Sequence, residues 1–285
     1  MEIETDVNEV VNNWRSVIKN KRRMIFTFGE RADIRLNAIK SLIYRTKIPL
    51  DNWEVREGYH RGTGRYDFLG DWRPISVGER WGGTDITAFF RRKVEIPQAF
   101  SGERVVLRFY IGGDALLSIS GEPFQGMDPF RNEAVLTDAA LGGECFEIDV
   151  EAYVNWHTGE ADNKIFHQAE LAIQDRSIND AYWDFWCAFK VLAIEALDPD
   201  LRRYLEYHLW EALKIIPPKV EDATLFREQL TKAQRQLQET VYESKCFKIP
   251  GLIHLVGHSL LDLVFMWTYR EYIRKVGRTH ATMLR

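Results

Sequence analysis

The chain has 285 residues, which is enough for about two domains. A hydrophobic content of 45% with 13% aromatic residues is typical of a globular protein with an ordinary core. Lys and Arg total 38 against 42 for Asp and Glu, so the net charge of -4 gives no overall attraction to nucleic acid or to an anionic membrane. We therefore expect neither as a partner.

The longest apolar stretch, Gly251 to Trp267, is interrupted by His254, His258 and Asp262, which are costly in hydrocarbon, so we predict no membrane span. The first residues are acidic and show neither the basic nor the apolar region of a secretory signal, which predicts a cytoplasmic location. The cysteines are too few and too far apart for a disulfide framework or a Cys-x-x-Cys metal site, and we expect them to be reduced and buried. They are Cys145, Cys187 and Cys246.

Residues 1–49 are predicted to form a helical extension at the amino terminus. Residues 5–19 place their apolar side chains on one face of a helix, as an amphipathic helix requires. A second helix is predicted over Ile34 to Tyr44, although its basic flanks also suit an extended segment.

Residues 50–175 are predicted to form an antiparallel β-sandwich. The apolar period falls to two in Val105 to Ile111 and again in Phe146 to Val150, so each strand should bury one face only. Glycines punctuate these runs at intervals typical of hairpins. The tryptophans of this region could be platforms for sugar rings, but core packing is the favoured interpretation. They are Trp53, Trp72, Trp81 and Trp156.

Residues 176–245 are predicted to form a connector of three helices. Ser177 with Asp180 makes a capping-box pattern for the first helix, and Asp198 followed by Pro199 begins the second. Asp222 can cap the third helix. The short connections imply antiparallel neighbours.

Residues 246–285 are predicted to begin an α/β barrel. Gly251 to Gly257 is a short apolar run that suits a buried strand, and helical periodicity follows from Asp262 onward. His258 and Asp262 would then lie at the carboxyl end of a strand, where α/β folds build ligand sites. In this arrangement His254 is expected to be a hydrogen-bonded core histidine.

Several motifs of the chain form a recognisable combination: Gly257-His-Ser-Leu-Leu-Asp262, Trp267, Tyr269-Arg-Glu271, Arg274 to Thr279, Asp71-Trp-Arg-Pro74, Gly78-Glu-Arg-Trp81, Gly113 to Asp128, Ala181 to Phe185 and Leu209 to Leu213. Together they resemble the amino-terminal part of the α-mannosidases of glycoside hydrolase family 38, up to the first strand and helix of their catalytic domain. That family carries a Gly-His-Ser-His-x-Asp pattern whose second histidine and aspartate bind zinc.

The resemblance implies a zinc site in the complete family enzyme, and only Asp262 of this chain falls on it. Leu260 occupies the other ligand position and has no lone pair to offer, whereas imidazole is a preferred zinc ligand. His258 is a candidate for a role behind the ligands, supporting them by a hydrogen bond. Asp262 also suits the N-cap of a helix, so its two interpretations stay open. Zinc binding by this chain is therefore doubtful on sequence grounds.

No catalytic residue can be placed in this chain. A retaining glycosidase needs two carboxyl groups about 5 Å apart, one of them a nucleophile, and the family takes its nucleophile from segments beyond this strand and helix. Phe265 follows Asp262 by three residues, where the family often carries a tryptophan against the sugar, which makes it a weak substrate-contact candidate with core packing as the alternative.

The sequence therefore predicts an α+β protein made of an amino-terminal helix, a β-sandwich, a three-helix connector and the first β-α unit of an incomplete barrel. Its predicted function is that of the amino-terminal portion of a zinc-dependent retaining α-mannosidase, inactive as this chain. The alternatives are a non-catalytic carbohydrate-binding or interaction module and a decayed remnant. Expected partners are an α-mannoside or oligosaccharide and the remainder of a catalytic domain, and an oligomer is compatible with the sequence.

Overall fold

The computed structural model describes residues 27–154, 164–246, 254, 256–257, 259–265 and 267–285. The predicted helix at residues 5–19, Trp156 and His258 lie outside the described residues. Contacts divide the chain into two compact units, one of Met1–Ile43 with Arg176–Pro250 and the other of Tyr44–Asp175 with Gly251–Arg285. None of the described helices has the length and apolarity that crossing a membrane requires.

The first unit begins with helix α1, Phe28–Ser41. Thr27 caps it, because its side chain accepts a hydrogen bond from the Glu30 backbone while the Glu30 carboxylate accepts one from the Thr27 backbone at 2.7 Å. The helix predicted over Ile34 to Tyr44 thus exists, but it starts six residues earlier and ends at Ser41.

Among the described residues, this unit also contains the helices α2 (Arg176–Val191), α3 (Pro199–Leu213) and α4 (Ala223–Leu237), with a π-helical turn at Gln238–Tyr242. The Asp198 and Asp222 side chains cap α3 and α4 by accepting backbone hydrogen bonds at 2.8–3.0 Å. The capping box predicted at Ser177 is wrong, because α2 already begins at Arg176.

The helices of this unit bury apolar side chains against one another. Phe28 packs against Phe189 and Trp210 with ring centroids 6.1 and 6.0 Å apart. Phe185 and Leu209 are fully buried. A shared apolar interior therefore joins α1 to the three helices that follow much later in the chain.

The second unit contains an antiparallel β-sandwich, which confirms the predicted α+β class with antiparallel sheets. One sheet has four strands in the order β1-β13-β7-β10, and the other has seven, in the order β3-β2-β6-β11-β8-β9 with β4 beside β2. A two-stranded ribbon joins β5 to β12. The strands are β1 Tyr44–Pro49, β2 Trp53–Gly62, β3 Arg65–Phe68, β4 Arg73–Ile75, β5 Arg80–Trp81, β6 Ile86–Glu95, β7 Val105–Tyr110, β8 Ala115–Ile119, β9 Glu122–Met127, β10 Glu133–Thr137, β11 Cys145–Tyr153, β12 Lys164–Ile165 and β13 Gln168–Gln174.

The core of the sandwich is aromatic. Phe109 packs between Trp53 and Phe166 at centroid distances of 4.8 and 5.3 Å, and Trp81 meets Phe90 edge-on at 5.3 Å. The indole N–H of Trp53 donates to a backbone carbonyl at 2.9 Å, and that of Trp81 does so at 2.7 Å. Core packing is thus confirmed for these two tryptophans.

Two details of the structure differ from the sequence expectation. The alternating pattern in β7 and β11 does mark buried positions, but Val106 is fully buried as well, so β7 buries both of its faces there. The three cysteines are free, as predicted, yet all of them are exposed rather than buried.

The second unit ends in helix α5, Tyr269–Met283. Its N-cap is Thr268, whose hydroxyl accepts a hydrogen bond from the Glu271 backbone at 3.3 Å. The helix was predicted to begin at Asp262, so it begins seven residues further along the chain than expected, and the N-cap role of Asp262 is wrong. His254, Val256 and Gly257, the described residues of the predicted strand, are exposed and have no regular secondary structure. The core role expected for His254 is therefore wrong, and the first unit of a barrel is not confirmed.

Candidate functional site

The segment predicted to bind metal lies just before α5 and is open to solvent. Leu260 is 82% exposed, Phe265 is 64% exposed, and Asp262 is exposed as well. The Phe265 ring meets the Trp267 ring edge-on at 5.8 Å, and the Trp267 indole N–H donates to the backbone carbonyl of Asp262 at 3.2 Å. Asp262 thus lies at the surface, and its carboxylate makes no hydrogen bond or ion pair with the part of the chain that the structure describes.

Zinc does not fit the residues that the structure describes. Nowhere among them do three or more His, Cys, Asp or Glu side chains gather as a metal ion requires. Asp262 supplies one oxygen ligand, and the alkyl side chain of Leu260 supplies none. The described part of the predicted site therefore falls short of the ligands that a zinc ion needs.

Helix α5 instead brings together a set of charged side chains on the seven-stranded sheet. Nη1 of Arg274 donates to Glu151 of β11 at 3.0 Å and to the hydroxyl of Thr87 of β6 at 2.6 Å. Arg274 also pairs with Glu271 one helical turn earlier, and Arg278 pairs with the same carboxylate. We call Glu151, Glu271, Arg274 and Arg278 the charge cluster.

Glu271 and Arg278 of the charge cluster are buried, Glu151 and Arg274 are partly buried, and this environment shifts the pKa values of nearby groups. Burial opposes the charge of Arg274, but Glu271 and Glu151 outweigh that effect and raise the pKa of the guanidinium. The Tyr66 hydroxyl donates to Glu151 at 2.8 Å, and burial together with this carboxylate raises the pKa of the phenol. Arg274 is therefore a permanent cation, and two of its partners, Glu151 and Thr87, lie on the sheet.

A buried histidine lies beside this cluster. His60 of β2 is 6% exposed, and its backbone carbonyl accepts a hydrogen bond from Arg270 of α5 at 2.9 Å. Burial and, next in size, the charge of Arg274 lower the pKa of the imidazole, and the carboxylates of Glu151 and Glu271 oppose them only in part. Its Nδ1 atom has no hydrogen-bond partner among the described residues. The neutral imidazole is thus the form that this site accommodates.

Helix α5 also makes a close approach to β9. The backbone N–H of Gly126 donates to the Thr282 hydroxyl at 2.9 Å, and a Cβ atom at position 126 would lie 2.6 Å from that oxygen. A cleft of about 160 Å³ opens beside this contact, where Lys275 pairs with Asp114 at 3.2 Å and Arg131 pairs with Asp128. The charged groups of the cleft are thus already paired with each other.

The charged side chains around α5 have a structural role. Glu271 is 2% exposed and accepts from two arginines, and Glu151 accepts from Arg274 and Tyr66. Carboxylates bound in this way hold a helix in place, and neither is a free acid or nucleophile of the kind that a glycosidase uses. Sequence reasoning missed this cluster, although Glu271, Arg274 and Arg278 follow the spacing that places side chains on one helix face.

Comparison with known proteins assigns the sandwich. Residues 48–179 match the family model described as the α-mannosidase jelly roll domain, and this range contains β2 through β13. Residues 48–179 are thus similar to the jelly roll domain of α-mannosidases. The chain is similar to the amino-terminal region of those enzymes, which confirms the resemblance found in its sequence.

Individual relatives give the same result. The chain is 27% identical to alpha-mannosidase 2C1 of Homo sapiens over 232 residues, 24% identical to alpha-mannosidase 2C1 of Mus musculus over 224 residues, and 19% identical to alpha-mannosidase G of Dictyostelium discoideum over 231 residues. These alignments include 75%, 73% and 75% of this chain, respectively. They cover 21% of each relative, so the chain spans about a fifth of the length of the relatives it matches.

Proposed function

We propose that this chain is the amino-terminal portion of a zinc-dependent, retaining α-mannosidase, in which the sandwich supports a catalytic domain that acts on α-mannosides. The observation that carries the proposal is the match of residues 48–179 to the jelly roll domain of α-mannosidases, together with relatives that bear that name. Zinc, the retaining mechanism and the mannoside substrate enter through the resemblance. A cytoplasmic location is part of the proposal, and the three free cysteines support it.

The finer proposal is that these 285 residues are catalytically inactive by themselves. Leu260 stands where the family has a zinc-binding histidine, so this segment offers Asp262 as its one recognisable ligand. No pair of carboxyl groups suited to a retaining glycosidase can be assigned among these residues. By the resemblance, His258 is a candidate for supporting the ligands by a hydrogen bond, and Phe265 is a weak candidate for a substrate contact.

The test is metal binding and turnover by the purified chain. We expect no zinc-dependent hydrolysis of an aryl α-mannoside by the 285-residue polypeptide, and no stoichiometric zinc in calorimetry. Zinc-dependent turnover that a chelator abolishes would refute the inactivity. Leu260→His, made in the chain joined to the matching remainder of a relative, should gain stoichiometric zinc relative to the same fusion with Leu260, and Leu260→Gln is the size-matched control.

A second candidate is a carbohydrate-binding module without catalysis. Two observations favour it. The sandwich has a hydrophobic core of its own, and the described residues do not bring a set of zinc ligands together. Calorimetric titration with α-mannosides in the presence of a chelator separates the two candidates. Saturable binding without metal supports the module, and its absence leaves the supporting role in a mannosidase.

A further inference from the structure

Helix α5 is held on the sandwich mainly by charge. Its buried residues are Glu271, Arg278 and Ala281, so alanine is the one apolar side chain among them, while Tyr272 and Val276 are half-buried. On the solvent side of the same helix, Tyr269, Ile273 and Met283 are exposed. The hydrophobic contribution to docking is therefore small, and the stability of the docked helix depends on the protonation of the buried polar groups.

The charge cluster carries no net charge of its own, and Arg270 is a further cation near His60. Two arginines, Arg274 and Arg278, face two carboxylates, Glu151 and Glu271, so their charges cancel. A proton on His60 adds an uncompensated positive charge beside Arg274, in a site largely removed from water. The titratable and charged groups around His60 come from three elements: Tyr66 of β3, Glu151 of β11, and Arg270, Glu271 and Arg274 of α5.

The surroundings of the His60 ring compensate that charge only in part. Nδ1 is buried, and no described residue accepts a hydrogen bond from it, so a proton placed there would remain unpaired. A hydrogen bond with the Gly62 backbone favours the charged ring but is outweighed by burial and by Arg274. Protonation can be accommodated if α5 moves away, because the departure of Arg274 removes the repulsion and admits water.

We propose that helix α5 and the charge cluster form an acid-released latch, in which protonation of His60 detaches α5 from the seven-stranded sheet while the sandwich stays folded. His60 is buried as the neutral form, so the latch is at full strength above the pKa of an exposed histidine, near 6.5. Stability is lost as the pH falls from that value toward the lowered pKa of His60 in the docked state.

Hydrogen–deuterium exchange of the full 285-residue chain, corrected for intrinsic rates, tests the latch at pH 7.5 and 5.0. Linkage to one proton allows up to tenfold loss of docking per pH unit below 6.5, so α5 peptides should lose up to about 30-fold protection at pH 5.0. Peptides from β7 and β11 should keep theirs. Equal α5 protection at the two pH values, or equal loss in β7 and β11, would overturn the proposal.

Matched variants assign the effect to His60. His60→Gln should keep α5 protected at pH 5.0, whereas His280→Gln, which removes the exposed histidine of α5 itself, should retain the wild-type pH response. Arg274→Met should release α5 already at pH 7.5. If His60→Gln perturbs the sandwich, the exchange of β7 will reveal it, and His60→Asn then serves as the second neutral replacement. A pH response that survives in a folded His60 variant contradicts the assignment.

Discussion

The sandwich core and the α5 interface use opposite physical means within the same unit. The core joins two sheets through aromatic rings such as Trp53, Phe90 and Phe109, each at most 1% exposed. The α5 interface buries Glu271 and Arg278 instead and leaves Ile273 in solvent. Apolar burial scales with area and is insensitive to pH near neutrality, whereas a buried charge cluster depends on every member being present and correctly protonated.

This difference indicates which part of the unit can detach while the rest stays folded. Losing one core ring leaves a cavity that the surrounding sheets partly fill, so the fold weakens but keeps its form. Losing one member of the charge cluster leaves a buried charge without a partner, which favours local detachment of α5. Global stability should therefore respond to the core, and local exchange to the interface.

The largest effect is expected from the core. Phe109→Ala should lower the free energy of unfolding by about 4 kcal/mol, because it removes a ring packed against Trp53 and Phe166 and leaves a cavity. Urea unfolding followed by tryptophan fluorescence measures it. Phe130→Ala is the matched control, since Phe130 is 95% exposed and should change stability by less than about 0.5 kcal/mol. Similar losses in the two variants would mean that the aromatic core does not dominate stability.

The next effect is expected from the charge cluster. Arg274→Met should cost about 3 kcal/mol of α5 docking, because it leaves Glu151 and Glu271 buried with one partner fewer. The exchange rate of α5 amides should rise by the amount that corresponds to this loss of docking energy. The unfolding midpoint of the sandwich should change little. Lys275→Met, which breaks the partly exposed pair with Asp114, is the control and should cost under about 1 kcal/mol. If α5 and β7 lost protection together in Arg274→Met, α5 would not detach independently of the sandwich, and the proposed difference between the two regions would be wrong.

The sandwich could be predicted because its signal is local. Alternation in Val105 to Ile111 and Phe146 to Val150 marks one face of each strand whatever the strand pairs with. The burial of Val106 could not be predicted, since it depends on what covers the second face of β7, and that is a property of the tertiary structure. The same holds for the cysteines, whose residue type predicts burial but whose positions in this fold are exposed.

The start of α5 shows where local signals compete. Asp262 and Thr268 are both good N-cap residues, and the apolar residues between them continue the helical period. Thr268 is the cap in the structure, and Glu271 one turn later joins Arg274 and Arg278 in the charge cluster. That cluster includes Glu151, which is more than a hundred residues away in the sequence, so the choice of cap could not be made from the segment alone.

The candidate metal site shows a different limit. The resemblance to the family assigned Asp262 and Leu260 to ligand positions. A metal ion is bound, however, only where several ligand side chains come together in space. Among the described residues no such gathering exists, and Asp262 contacts Trp267 through its backbone carbonyl rather than through its carboxylate. The role of Leu260 therefore remains a prediction from the sequence, to be tested by zinc binding.

A smaller effect is expected where α5 approaches β9. Gly126→Ala should weaken docking of α5 by about 2 kcal/mol, because the added methyl group would lie 2.6 Å from the Thr282 hydroxyl and 3.1 Å from the backbone oxygen of Arg278. Rotation of the Thr282 side chain can relieve the first contact but not the second. Exchange of the last turn of α5 measures the change, and unchanged protection there would show that the helix adjusts freely.

The smallest effect has the opposite sign and isolates the helix itself. Gly277 lies within α5, is exposed, and has no atom within 4 Å of the position of an added Cβ. Gly277→Ala should therefore stabilise the helix by about 0.5–1 kcal/mol through reduced backbone entropy, without touching the sheet. Slower exchange of α5 at pH 7.5, with the step between pH 7.5 and 5.0 unchanged in size, is the expected result. A diminished pH step would mean that helix formation, rather than the buried charge cluster, limits docking of α5 on the sandwich.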